Sequence, residues 1–371
     1  MSNTMGIIFS NIHDSDVPEL TQSRTLGSIP FCGRYRLVDF ALSNMVNSDI
    51  TKVGVITKSN YQSLMDHIGS GKDWDLARRH GGLRILPPFG VQENTSLYNT
   101  RLEALKNIIG FIEKSTEQYV VMTDCDLVCN MDYDKIVRTH IRKNADVTMV
   151  YARMNAREMT SSNDIVLKLD ASGRVTDISF APRVQGEVNV FANVFVLNRN
   201  LLSNLVKDAI SHNKHHFTAD IIARNVGTLR VFGYEHASYF AKITSLQSYY
   251  DKSMELLDKT RMNEVFLNNN VYTKIRDSAP TKYGDLASVK NSLIADGCVI
   301  EGEVENSILF RGVKVARGAS VKNSILMQDT IIGDNAYINC IITDKNVTVT
   351  DGRHLSGCET NPFYIRKNSK L

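Results

Sequence analysis

The residues best placed to do chemistry sit in two loops, each following a short apolar run. One follows GIIF (6–9) and carries Asn11, Ile12, Asp14 and Asp16. The other follows YVVMT (119–123) and carries Asp126. Runs this short and this rich in Val, Ile and Met read as buried strands, and ligands of parallel sheets bind beyond the carboxyl ends of their strands. Cys125 and Cys129 have the spacing of half a metal site. No second Cys or His pair lies at a matching distance, so they read as small core residues, as do the other four of six scattered cysteines.

Two further runs, KVGVIT (52–57) and VTMVY (147–151), join the same strand set. A helical stripe of Leu102, Leu105, Ile109 and Ile112 lies between the runs at 52–57 and 119–123. Strands alternating with helices predict a mostly parallel sheet covered on both faces, hence an α/β domain. LKLDASGRVTDISF (167–180) predicts a hairpin, with Asp170 and Gly173 as turn residues, and 246–257 predicts a closing helix.

Beyond residue 288 the texture changes. Leu293 and Val299, then Leu309, Val315 and Val321, then Leu326, Ile332 and Ile338 recur about every six residues, with glycines among them. A hexapeptide period predicts a β-helix whose coils stack their apolar residues inward. The polar stretch around 268–282 separates the two textures. The expected division is therefore a first domain over 1–258, a linker over 259–287 and a β-helix over 288–371.

At 371 residues the chain is long enough for two domains. Its formal charge of +3 is too small to imply nucleic acid or an acidic membrane as partner, and no basic arm or transmembrane run occurs. The start, MSNTMGIIFSN, lacks the basic region and apolar core of a signal peptide, so a cytoplasmic home is expected. Acyl transfer, which many hexapeptide β-helices perform with a loop histidine, is disfavoured. The one histidine of the repeat region, His354, lies beyond the regular coils.

The segment SRTLGSIPFCGRYRLVDFALSNMVNSDI (23–50) resembles the RAKPAVPFGGKYRLIDF region of the ADP-glucose pyrophosphorylases (glucose-1-phosphate adenylyltransferases). Counterparts of that family's motifs recur at 70–88, 131–133, 217–222 and 304–312, so the resemblance covers nearly the whole chain. It implies a nucleotidyltransferase (GT-A/Rossmann-like) domain joined to a left-handed parallel β-helix. It also implies where the chemistry has been lost. The family's phosphate loop, LAGGxGTRLxPLT, aligns with FSNIHDSDVPELT. Its glycines become Asn11, Ile12 and Asp14, and its arginine becomes Asp16, so carboxylates are expected to face the triphosphate.

The lysine of RAKP becomes Leu26, the sugar-phosphate lysine of EKP becomes Ala181, and GTADA erodes to TRLEA at 100–104. Of the two aspartates that hold Mg²⁺ in the family, the first is kept as Asp126, which reads equally as a metal remnant or a turn residue. The second becomes Lys242, which cannot ligate Mg²⁺ while charged. Arg24 keeps the arginine of RAKP and is the candidate to hold a phosphate-bearing effector.

The pattern resembles the GlgD-type, noncatalytic subunits of bacterial glycogen synthesis. It implies a chain with no cofactor of its own, Mg²⁺ belonging to a catalytic pyrophosphorylase subunit with which it would form a hetero-oligomer of the heterotetramer kind. Sugar phosphates or nucleotides are the implied effectors. A weakly active adenylyltransferase and a sugar-phosphate or nucleotide sensor without turnover are the alternatives. Arg34, Tyr35, Arg36 and Asp39 read as a structural cluster, and Trp74 as packing under its loop.

Overall fold

The computed structural model describes residues 3–88, 98–159, 164–180, 182–267 and 269–371. Thr4–Phe9, fully buried, is the centre of a nine-stranded sheet. It pairs in parallel with Lys52–Ile56 on one side and Tyr119–Asp124 on the other, and Gly82–Leu86 extends the parallel set outward. Glu187–Asn198 runs antiparallel to Tyr119–Asp124 and carries the hairpin Ile165–Leu169/Val175–Phe180 and the strand Val147–Asn155 beyond it. The near-continuous apolar runs of the central strands follow from cover on both faces. Met5, Ile7 and Phe9 face one core, with Leu102, Leu105 and Ile112, while Ile8, Val53 and Val55 face the other.

The expected helical stripe is two short helices, Arg101–Asn107 and Ile109–Glu113. Thr100 and Glu103 form a capping box at the start of the first: Glu103 N–H donates to Thr100 Oγ1 over 3.2 Å, and Thr100 N–H donates to Glu103 Oε2 over 3.3 Å. The eroded TRLEA motif is thus a helix start that also directs Arg101 toward the cleft. Leu246–Glu255 is the expected closing helix.

Three five-stranded parallel sheets build the second part into a prism. Val304, Val321 and Ile338 form an inward ladder on one wall. Leu309 with Leu326 and Val315 with Ile332 stack on the other two, as the hexapeptide period predicts. In the first coil Ile294 and Ile300 take the register expected of Leu293 and Val299. Gly302 is required at a corner between coils, because a Cβ there would lie 2.3 Å from the Ala319 carbonyl oxygen.

The stretch expected as linker is more structured than its polarity suggests. It holds the helix Lys259–Phe266 and the strand Lys282–Tyr283, which pairs with Val299–Ile300 as part of the first coil. The two parts also share a core. Val17, Leu26, Ile29 and Phe31 pack with Ile308, Phe310, Ile325 and Met327. No helix among the described residues is long and apolar enough to cross a membrane.

Candidate functional site

A cleft of about 560 Å³ opens at the carboxyl ends of the central strands, lined among others by His13, Asp16, Arg101, Asn193 and Lys242. Behind its lining, Tyr119–Asp124 brings a fully buried carboxylate to its strand end, bonded by His13 and Arg101, with Asp126 two residues on. The short pairing of Phe240–Lys242 with Leu127–Cys129 places Lys242 beside Asp126. Asn193 enters from a register shift within Glu187–Asn198, at a left-handed φ of 56° that turns its amide into the cleft.

These side chains form a closed set of ion pairs. His13 Nε2 donates to Asp124 Oδ2 over 2.8 Å and His13 Nδ1 donates to Asp16 Oδ2 over 3.1 Å. A ring with a carboxylate on each nitrogen must donate from both, so it is an imidazolium. Burial alone would lower the His13 pKa, but Asp126, Asp124 and Asp16 together raise it to about 10. Arg101 also donates to Asp124 Oδ2, and Asn193 Nδ2 donates to Asp126 Oδ2 over 2.9 Å. Lys242 Nζ is 2.7 Å from Asp164 Oδ1. Burial works to raise both strand-end carboxyls. For Asp124, Arg101 and His13 overcome it and hold the group below the usual range, whereas Asp126 stays raised despite His13 and Lys242.

Several residues expected at this site lie elsewhere. Asp14 does not face the cleft: its Oδ1 turns inward to accept from Leu26 N–H over 2.7 Å. Burial raises its carboxyl to about 7 against that hydrogen bond. A carboxylate can satisfy a stray backbone donor in the loop, and that contact outcompetes solvent. Asp16 does line the cleft, neutralised by His13. Asn11 is buried, and its Oδ1 accepts from Tyr98 OH over 3.0 Å. Ile12 lines the cleft and packs on the first core. Leu26 is buried in the core shared with the β-helix. Ala181 lies outside the described residues, next to Phe180, whose ring is 44% exposed at the cleft edge.

Arg24 lies at the seam between the two parts and not among the residues lining the cleft. It is 2% exposed, and its Nη2 donates to both carboxylate oxygens of Asp344 of the β-helix, at 2.7 and 2.8 Å. Asp344 also accepts from Tyr364 OH over 2.9 Å and from Lys345 N–H over 2.7 Å. The cationic side chains of Arg36 and Arg276 act on the same place. Burial, then Arg36 and Arg24, lower Lys345 to about 7, with Asp344 opposing. The expected structural cluster holds for Arg36 and Asp39: Asp39 accepts from Arg36 N–H over 3.0 Å and pairs with His67 over 2.6 Å. Arg34 is exposed, its guanidinium 5.5 Å from the Tyr35 ring. Trp74 is buried, edge-on to His67.

The residues do not fit the Mg²⁺ that the resemblance implies. His13, Asp124 and Asp126 bring ligand atoms within 4.8 Å of one another, a spacing that suits a cation. The Oδ2 atoms that face inward are already taken by His13, Arg101 and Asn193, and Lys242 stands where a second acid would be needed. Mg²⁺ demands oxygen ligands in near-octahedral order and tolerates no ammonium among them.

Comparison with known proteins places this geometry among relatives. Residues 17–259 match the nucleotidyl transferase family model, and 278–360 match the model of the GlmU-like C-terminal hexapeptide region. The glycogen biosynthesis protein GlgD of Geobacillus stearothermophilus is 36% identical, over 100% of this chain and 98% of that protein. That of Bacillus subtilis is 34% identical over 98% and 95%. The glucose-1-phosphate adenylyltransferase of Thermosipho melanesiensis is 32% identical over 87% and 78%.

Proposed function

The chain belongs to the nucleotidyl transferase family that contains the glucose-1-phosphate adenylyltransferases and the GlgD proteins of glycogen biosynthesis, and within it we propose a noncatalytic, regulatory subunit. One observation carries the reading. Among the described residues that line the cleft, His13, Arg101 and Lys242 are each paired with a buried or partly buried carboxylate of the same chain. Nucleotidyl transfer is driven by neutralising and positioning phosphates, and here those charges are spent internally. The scaffold, by contrast, matches GlgD proteins from end to end.

The partner is a catalytic pyrophosphorylase subunit, in a hetero-oligomer of the heterotetramer kind, and Mg²⁺ acts there. Effectors of the sugar-phosphate or nucleotide class belong where Arg24, Arg36 and Lys345 converge between the two parts, rather than in the cleft. There Lys345, partly exposed beside the buried Arg24–Asp344 pair, is the cation that an anion would meet.

Purified chain supplied with ATP, Mg²⁺ and glucose 1-phosphate should show no turnover above background. Lys242→Asp alone should not restore it, since Asp164 then faces another carboxylate and the groups act together. Turnover at ordinary enzyme rates, with contamination excluded, would overturn the reading.

A further inference from the structure

The misfit with Mg²⁺ has a positive counterpart in the same atoms. Two fully buried carboxylates, Asp124 and Asp126, lie side by side at the end of the central sheet. Left bare, such a pair would be strongly destabilising, so a positive charge has to meet it. That charge comes from the chain. The His13 imidazole is 2.8 Å from Asp124 and 3.8 Å from Asp126, Arg101 bonds Asp124, and Asn193 bonds Asp126.

His13 comes from the loop after the central strand, Arg101 from the start of a helix, and Asn193 from a bulged strand at positive φ. Three unrelated elements thus converge on one carboxylate pair. Among the described residues, Asp124 Oδ1 and Asp126 Oδ1 are buried without a hydrogen-bond partner, so the pair keeps unused coordinating capacity behind the plug.

We propose that His13, seconded by Arg101 and Asn193, is a protein-supplied substitute for a divalent ion at this carboxylate pair. The folded chain is thereby metal-independent, and a metal-responsive site is latent beneath the imidazole. The inference concerns the chain's own stability and holds whether or not the chain joins a partner.

Thermal unfolding of the full chain tests it. In wild type, melting in EDTA and in 10-fold to 1,000-fold molar excess of MgCl₂ or MnCl₂ should coincide, and metal analysis of the purified protein should find no stoichiometric ion. His13→Ala removes the plug. It should melt roughly 5–10 °C lower in EDTA and recover with Mn²⁺, which tolerates carboxylate ligands, in a saturable way. His13→Gln keeps a side-chain donor toward Asp124 without the charge, so it covers the case in which the alanine variant fails to fold. It should show a smaller loss and the same recovery. In His13→Ala/Asp124→Asn, removing one negative charge should restore stability in EDTA and abolish the Mn²⁺ response.

A wild type stabilised by Mg²⁺ or Mn²⁺, or purified with a bound ion, would overturn the proposal. So would His13 variants with wild-type melting and no metal response. None of these outcomes depends on turnover or on partner binding, so failure here is distinguishable from failure of the regulatory reading.

Discussion

At the scale of single residues, the cleft holds its cationic side chains in ion pairs with carboxylates of the same chain. Sequence alone marked the altered positions Asn11, Asp16 and Lys242, because loops of this kind need bare amides and cations. It left unnoticed the residues that answer them: His13, Arg101, Asp124, Asp164 and Asn193 are far apart in the chain and meet only through the sheet. The signal for His13 was present in HDSD, a basic side chain followed by two acids, but nothing local says which carboxylate it will reach.

Arg24 shows the opposite limit. Its cationic character is legible in the sequence, whereas its partner Asp344 lies 320 residues away and nothing local points to it. With both groups nearly inaccessible, Arg24→Ala strands a buried carboxylate and should lower unfolding free energy by about 3–5 kcal/mol. Arg24→Met with Asp344→Leu should lose much less, as charge and counter-charge leave together. Urea melts of the three proteins check this, and equal losses for the single and double variants would show that the pair is not what holds these segments.

At the scale of elements, the sequence was most readable where periodicity repeats. The hexapeptide residues Leu309 and Leu326, Val315 and Ile332, and Val321 and Ile338 stack in register as expected, since one buried apolar residue per wall is forced at every coil. The segment between the domains was least readable. Its polarity hid the helix Lys259–Phe266 and the first coil, both stabilised by long-range pairing rather than by local preference.

The seam those elements leave carries the titratable group Lys345, at about 7. Its folded value lies below that of a free lysine, so the unfolded or anion-bound chain holds the extra proton across the interval from about 7 to 10. Binding of a phosphate-bearing effector here should therefore strengthen as pH falls from about 9 toward 7 and level off below. Lys345→Met should flatten that dependence. Equilibrium dialysis or calorimetry across pH with a sugar phosphate reads it directly, and a pH slope unchanged by Lys345→Met would locate binding elsewhere.

At the scale of the whole molecule, the two parts are bound by a shared apolar core and by the Arg24–Asp344 pair. Leu26 joins this core through its side chain, while its backbone N–H holds Asp14 of the cleft loop. A shift of the β-helix against the first domain would thus reach the cleft through residues 24–26. On the proposed regulatory reading, a partner would respond to the relative placement of the two parts, an equilibrium that a coupling of about 1–3 kcal/mol is enough to bias.

The most direct measurement is a titration of this chain into a catalytic glucose-1-phosphate adenylyltransferase subunit. Complex formation would be followed by co-purification, and ADP-glucose synthesis by saturation curves for ATP and glucose 1-phosphate with and without effectors. A stable complex should form, with apparent affinity or rate changed between roughly 5-fold and 150-fold, corresponding to a coupling of about 1–3 kcal/mol. The chain itself should add no turnover. Absence of a complex, or a complex whose curves overlay those of the catalytic subunit alone, would contradict the regulatory assignment.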